Sequence, residues 1–474
     1  MKNVVKTVFG VLVLCSITLF AKAPKYTFVF IGDGMSVPQR MVAEEFAIKT
    51  GKGKLAINHM SSHATTRTCS ATSLVTDSAA AGTAIACGVK TYNGAIGVDA
   101  DKNKVESMAE AAKAAGKKVG IVTTVTIVHA TPAAFYAHRQ SRGLIYQIGL
   151  DLINSSFDYF AGGGFGGRHN DKKDKEYCGH LFELAEKKGY KHIMDVEQFR
   201  KLTPADGKVI YSVDKKGAMD FSIDSDGSEP TIAELTSKGI ELLDNPEGFF
   251  MMVEGGKIDY AGHGNDAATN IKDLLALNDA VVVAMEFAKK HPDEVLIVVT
   301  GDHETGGMTM GVAGTGYALH VDRLNNQKCS VAKFDKIIKE EQKRIKKEKN
   351  RSMKYEEAIP FLEKWFGFVF SNDLAVDDAA AGDKFAKKGA GQKGNPMVLN
   401  KKEREMLEDG FEDGKLANAA RVVINNKSGV GWTTGAHTAL PVLTTSYGAE
   451  SSRFSGFLDN TDIGNIIKNL YKGK

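Results

Sequence analysis

Cysteine is scarce. The 474-residue chain holds five, and Cys15 lies inside an apolar N-terminal run. The other four, Cys69, Cys87, Cys178 and Cys329, are scattered too widely to form a disulfide framework, and spacing leaves their pairing open. A strong net charge is also lacking. The formal charge is +3, and Lys2, Lys6 and Lys22 all precede Ala23, so the rest of the chain is near neutral. That excludes the broad basic field of a nucleic-acid binder. The apolar run at residues 8–20 is too short and too weakly flanked for a stable membrane span. Small residues follow it at Ala21-Lys22-Ala23, so residues 1–23 read as a cleaved secretory signal peptide rather than an uncleaved anchor. Leu14 is bulkier than a lipid-attachment site before Cys15 accepts. The expectation is a secreted or periplasmic protein without a stable membrane span. No internal repeat is evident. The glycines of 162–167 lack the helix and acid of a dinucleotide loop and read as a tight loop.

What the chain does have is an ordinary globular composition, 43% hydrophobic and 25% charged. Strand-like and helix-like segments alternate. Apolar runs at 26–31, 118–123, 248–253 and 294–300 are interleaved with helical spacing at 106–117, 231–244 and 269–290. A late strand is expected at 439–446 and a final helix at 462–471. This alternation predicts an α/β fold with a mostly parallel central sheet and helices on both faces. Residues about 325–426 break the pattern, being Lys/Glu-rich and poor in strand signals. They read as a helical and irregular insertion on one catalytic domain spanning 24–474. Ser330 is expected to cap a helix through Phe334, Ile338 and Ile345, and Met406, Leu407 and Phe411 suggest a short helix. Residues 377–394 read as a mobile loop. The basic run 343–349 reads as a solvated helix face.

The chemistry gathers at a few places. Ser78 sits in Thr76-Asp77-Ser78-Ala79-Ala80-Ala81-Gly82, where tiny side chains let a helix start near a strand and an anion reach the hydroxyl. Asp33 follows a strand between two glycines. His129-Ala130-Thr131-Pro132, Arg142, the run from Glu254 to His263, the run from Gly301 to Gly307, and His437 complete the set. Asp259 and His263 are four apart, so on a helix both grip one ion. The Asp302-His303 pair could serve a second ion. Two zinc ions about 4 Å apart suit phosphoryl transfer. Glu254, an oxygen ligand beside Thr131, suits a harder ion such as magnesium, and Arg142 can fork onto two phosphate oxygens. Taken singly, most of these residues read more simply. Ser78 reads as an N-cap, Asp33 as a helix cap and Arg142 as a complement to a helix dipole.

Together, in this order and spacing, they resemble the alkaline phosphatase family. The likeness rests on Phe28 to Met35, Val75 to Ala84, Ala130-Thr131-Pro132, Val253-Glu254-Gly255, Asp259 to His263, Thr300 to His303, and His437. It covers most of 26–312 and 431–471. The resemblance implies hydrolysis of phosphate monoesters, fastest at alkaline pH, with Ser78 phosphorylated and then dephosphorylated. It implies one zinc held by Asp259, His263 and His437, and another by Asp33, Asp302 and His303. Magnesium would be held by Asp33, Thr131 and Glu254, with Arg142 clamping the phosphate. Asp77 either orients the turn or holds Arg142. Two positions depart from the best-known bacterial pattern. His129 stands in place of aspartate, as in other members, so the third site could recruit zinc. Tyr260 stands near the substrate phosphate in place of lysine, so phosphate is expected to be held less tightly. Asp33 lies ten residues after Ala23, too few for the long N-terminal arm that wraps a partner subunit in some members. A homodimer is still the expectation. Competing readings are a phosphodiesterase or sulfatase on the same two-metal core, and a non-catalytic phosphate-binding protein. Arg142 and the small residues around Ser78 argue against the first, and the complete ligand set against the second.

Overall fold

The computed structural model describes residues 23–165, 174–213, 217–370 and 397–473. Nearly all of the expected signal peptide, and the loop expected at 377–394, lie outside the described residues.

The central sheet is built from β1 (Tyr26–Gly32), β2 (Ser62–Arg67), β3 (Lys118–Thr126), β4 (Tyr159–Gly163), β5 (Tyr190–Ile193), β6 (Lys208–Ser212), β7 (Phe249–Gly255) and β8 (Val295–Gly301). Four two-residue strands come next. β9 (Glu304–Thr305) pairs with β12 (His437–Thr438), and β10 (Thr309–Met310) pairs with β11 (Val430–Gly431). β13 (Val442–Gly448) and β14 (Gly456–Asp459) complete the large sheet, in the order β14-β2-β13-β8-β1-β7-β3-β4-β6-β5. All its strands run one way except β13, which is antiparallel to both neighbours.

The central strands are continuous apolar runs because helices cover both faces. Phe28, Phe30, Met251, Val253, Ile297 and Val299 face one core. Their neighbours Val29, Ile31, Phe250, Met252, Leu296 and Val298 face the other. Helices Val37–Lys49, Ile232–Leu243 and Ala267–Lys290 pack on the first face. Helices Ser78–Cys87, Met108–Ala114, Ile145–Asn154 and Asn460–Tyr471 pack on the second. The helix Ser78–Cys87 is buried along its whole length. Its crossing with the last helix is close: a Cβ on Gly464 would lie 2.5 Å from the Ile85 carbonyl oxygen.

Ser330 does cap a helix, Val331–Lys349, accepting from the Lys333 amide at 3.0 Å. The expected short helix is Lys401–Glu412. Two further helices, Tyr355–Phe366 and Leu416–Ser428, add to this region. Phe334, Leu362, Phe366, Leu407, Val423 and Ile424 join the first core. The glycine run expected as a loop is corrected at its start. Gly162 and Gly163 belong to β4 and press against β3, where a Cβ on Gly163 would stand 2.5 Å from the Val125 carbonyl oxygen. Among the described residues, no helix is long and apolar enough to cross a membrane.

Candidate active site

The register of the central strands builds the site. Gly32 of β1 is level with Gly255 of β7 and Gly301 of β8. Asp33, Glu254 and Asp302 therefore emerge together at the carboxyl edge of the sheet, where α/β folds place ligands. His129 and Thr131 follow β3 at the same edge, and Ser78 starts the helix Ser78–Cys87 beside them.

Two clusters match the ligand sets expected from sequence. Asp259, His263 and His437 each bring a donor atom within 4.8 Å of the other two, and so do Asp33, Asp302 and His303. Asp259 and His263 share the helix Lys257–His263, as their spacing requires. His437 arrives on β12, paired to β9 directly after His303. Hydrogen bonding fixes the ring tautomers. His263 Nδ1 faces the Gly435 carbonyl at 2.7 Å, and His437 Nδ1 faces that of Thr76 at 2.9 Å. A carbonyl only accepts, so both Nδ1 atoms carry hydrogen. In the neutral rings, two Nε2 lone pairs then face each other across 3.2 Å. That arrangement asks for a cation between them.

The second cluster makes the same demand. Thr305 Oγ1 is 2.6 Å from Asp259 Oδ1 and 3.2 Å from His303 Nδ1. Its one hydrogen goes to the carboxylate, so it accepts from Nδ1. The lone pair of His303 Nε2 then points at Asp33 Oδ1 (3.3 Å) and Asp302 Oδ2 (3.2 Å), both fully buried and otherwise unpartnered. Ser78 Oγ lies 3.1 Å from the same nitrogen. Burial pushes the carboxyls of Asp33 and Asp302 well up, and neighbouring carboxylates add to the shift. Burial likewise holds His303 well below its usual range, as a neutral imidazole. These are donor sets for two nitrogen- and oxygen-liking cations.

A third group joins Asp33 to Glu254 and His129, again within 4.8 Å. Thr131 Oγ1 lies 3.4 Å from Asp33 Oδ2. Glu254 is fully buried with Oε1 unpartnered, and burial pushes it up to about 7. Arg142 Nη2 stands 3.1 Å from His129 Nε2. A guanidinium only donates, so this Nε2 accepts and Nδ1 carries the hydrogen. Burial and the Arg142 charge push His129 down to about 3.

Both roles considered for Asp77 are filled. Its Oδ1 accepts from the amides of Ala80 and Gly94 at 3.0 Å, capping the helix, and its Oδ2 accepts from Arg142 at 3.1 Å. Tyr260 stands at the rim, 38% exposed, edge-on to His129. Sequence reasoning missed three supports. Thr305 links the two clusters, Glu304 sits beside His303, and Thr123 donates to Glu254 Oε2. Glu304 and Thr305 lie inside the run from Gly301 to Gly307, where their position after Asp302-His303 was an available signal. Thr123 carries none.

The buried charges set a stability prediction for the metal-free chain. Between about pH 3 and 6.5, neutral buried histidines and protonated buried carboxyls work in opposite directions. Above about 6.5 the histidine contribution is complete, while Glu254, pushed up to about 7, still holds a proton that the unfolded chain has released, and the raised Asp33 and Asp302 act in the same direction. Stability is therefore expected to fall as pH rises from about 6.5 through 7, the range in which Glu254 gives up its proton. Thermal midpoints of chelator-treated protein check this, and a flat or rising profile contradicts it. Zinc saturation is expected to remove the drop.

Buried carboxylates and imidazoles poised for cations around a serine at a helix start define a metal-dependent hydrolase. The chain belongs to the alkaline phosphatase family, whose model matches residues 25–472, and it hydrolyses phosphate monoesters. Alkaline phosphatase 3 of Bacillus subtilis is 31% identical over 463 residues, 94% of this chain and 88% of that protein. Alkaline phosphatase 4 of the same organism is 33% identical over 408 residues, 84% of this chain and 77% of that protein. Among solved structures, a cold-active alkaline phosphatase from a psychrophilic Shewanella matches with a TM-score of 0.76 and 28% identity, covering 94% of this chain and 99% of that one.

Proposed function

We propose that hydrolysis proceeds through a phosphoserine on Ser78 at a site of two zinc ions and one magnesium. Asp259, His263 and His437 hold one zinc, and Asp33, Asp302 and His303 the other. Asp33, Thr131 and Glu254 hold magnesium; that third site could take zinc instead if His129 turned a ring nitrogen from Arg142 to the ion. The observation that carries this reading is the convergence of Ser78 Oγ, Asp33 Oδ1 and Asp302 Oδ2 on the unprotonated Nε2 of His303. Bound zinc supplies Lewis acidity to the phosphoryl oxygens.

The chain's own residues do the rest. Ser78 Oγ bonds to phosphorus as the ester P–O bond breaks and the alcohol leaves. Water then attacks the phosphoserine, the P–Oγ bond breaks, and the hydroxyl is restored with release of inorganic phosphate. Amides at the start of the Ser78–Cys87 helix face the phosphate. Arg142, steadied by Asp77, forks onto two of its oxygens. Acid quench during turnover, followed by mass analysis of the peptide bearing Ser78, tests the intermediate. A phosphate on that peptide is expected, and its absence under every condition of turnover contradicts the route.

Tyr260 itself brings no charge to the rim, although Lys257 Nζ stands 5.2 Å from its ring. Tyr260→Lys is expected to tighten inhibition by free phosphate about tenfold, from one added charge near a dianion. An unchanged inhibition constant contradicts this. Residues 1–23 support export to the periplasm or medium. A homodimer acting on small phosphate monoesters, with no nucleic-acid partner and no stable membrane span, is the assembly we favour.

A further inference from the structure

The Glu304 carboxylate bonds to no candidate metal ligand, yet it is wholly buried and saturated. Oε1 accepts from Gln39 Nε2 at 2.6 Å and the Met308 amide at 3.0 Å. Oε2 accepts from the Gly307 amide at 2.9 Å and Thr438 Oγ1 at 2.5 Å. Four donors are the full complement of a carboxylate.

Those donors come from three chain segments, and each segment carries ligands. Gln39 belongs to the helix that begins just after Asp33, and its Nε2 also donates to the Thr305 carbonyl at 3.2 Å. Gly307 and Met308 close the turn after Asp302 and His303. Thr438 is adjacent to His437 on the strand paired with Glu304 itself. The turn is further tied to the His437 segment, since the Gly306 carbonyl accepts from the Thr433 and Thr434 amides at 3.1 Å.

We propose that Glu304 is a positioning residue that locks the segments bearing Asp33, Asp302-His303 and His437 into one frame, and so sets the spacing of the two zinc clusters. This rests on the zinc reading above. In Glu304→Gln the amide nitrogen must face two donors, whichever way it turns. Thr438→Val removes the hydroxyl's bond to Glu304, together with the bond that hydroxyl accepts from the Leu440 amide at 3.5 Å, and leaves the backbone pairing; Thr438→Ser keeps both bonds.

Zinc release from holoenzyme to a colorimetric chelator is the readout, with the thermal midpoint of each metal-free variant measured beside it. Release at least tenfold faster is expected in Glu304→Gln and Thr438→Val, the range seen when groups supporting metal ligands are lost. Thr438→Ser is expected to release at the parental rate, and metal-free Thr438→Val to melt with the parent. Parental release from Thr438→Val, equal release from Thr438→Val and Thr438→Ser, or a metal-free midpoint that falls in step with zinc loss overturns the role. A parent that holds no zinc overturns the zinc reading itself.

Discussion

Ser78→Ala is expected to lower kcat on a nitrophenyl phosphate by on the order of 10⁴-fold or more, the scale reached when a covalent nucleophile is removed. The hydroxyl lies 3.1 Å from His303 Nε2, with two buried carboxylate oxygens beside that nitrogen. No neighbouring side chain in this arrangement duplicates it. Removing one small oxygen from the first residue of a buried, Ala-rich helix leaves the packing intact, and Asp77 remains the cap. Metal content and thermal midpoint are therefore expected to stay near the parent values while turnover collapses. A variant that retains its metals and hydrolyses monoesters at more than about a tenth of the parental rate contradicts the covalent route.

The second large effect is expected at Asp33. Its two oxygens serve different clusters: Oδ1 lies with Asp302 and His303, and Oδ2 faces Thr131. Asp33→Asn is expected to lose about a thousandfold in kcat/KM, because removal of a metal's charged ligand costs several kcal/mol of transition-state stabilisation. Two metal equivalents are expected to weaken rather than one. Stability moves the other way. Asp33 is held well up by burial and by Asp302, Asp259 and Glu254, so the metal-free fold bears the cost of a carboxyl that the unfolded chain ionises freely, and an amide carries no such cost. The metal-free variant is expected to melt higher than the metal-free parent above pH 6.5. Loss of a single metal equivalent, or a lower metal-free midpoint, contradicts the shared role.

The α/β layering and most candidate site residues were legible in the sequence for physical reasons. Parallel strands buried on both faces show as unbroken apolar runs, and β1, β7 and β8 announce themselves so. Asp259 and His263 declare a shared face because they are one helical turn apart. His437 lies far along the chain, and only the β9–β12 pairing brings it to them. Nothing local signals that pairing, so its place came from the family resemblance. Glu304 and Thr305 could be placed near the site by their position after Asp302-His303, but their partners come from other segments, and Thr123 carries no local signal at all. The short strands β2, β5 and β6 were not read, since brief or half-polar runs resemble loops. Tyr355–Phe366 was overlooked within a Lys/Glu-rich stretch, and Leu416–Ser428 has small side chains that blur its periodicity.

The central claim is that two clusters hold the metals that deliver phosphate to Ser78. Metal analysis of purified protein, with monoesterase rates before and after full chelation and after zinc and magnesium are returned, tests it most directly. About two zinc equivalents per chain, loss of activity on chelation and recovery on return are expected. Hydrolysis that survives complete removal of zinc would contradict it.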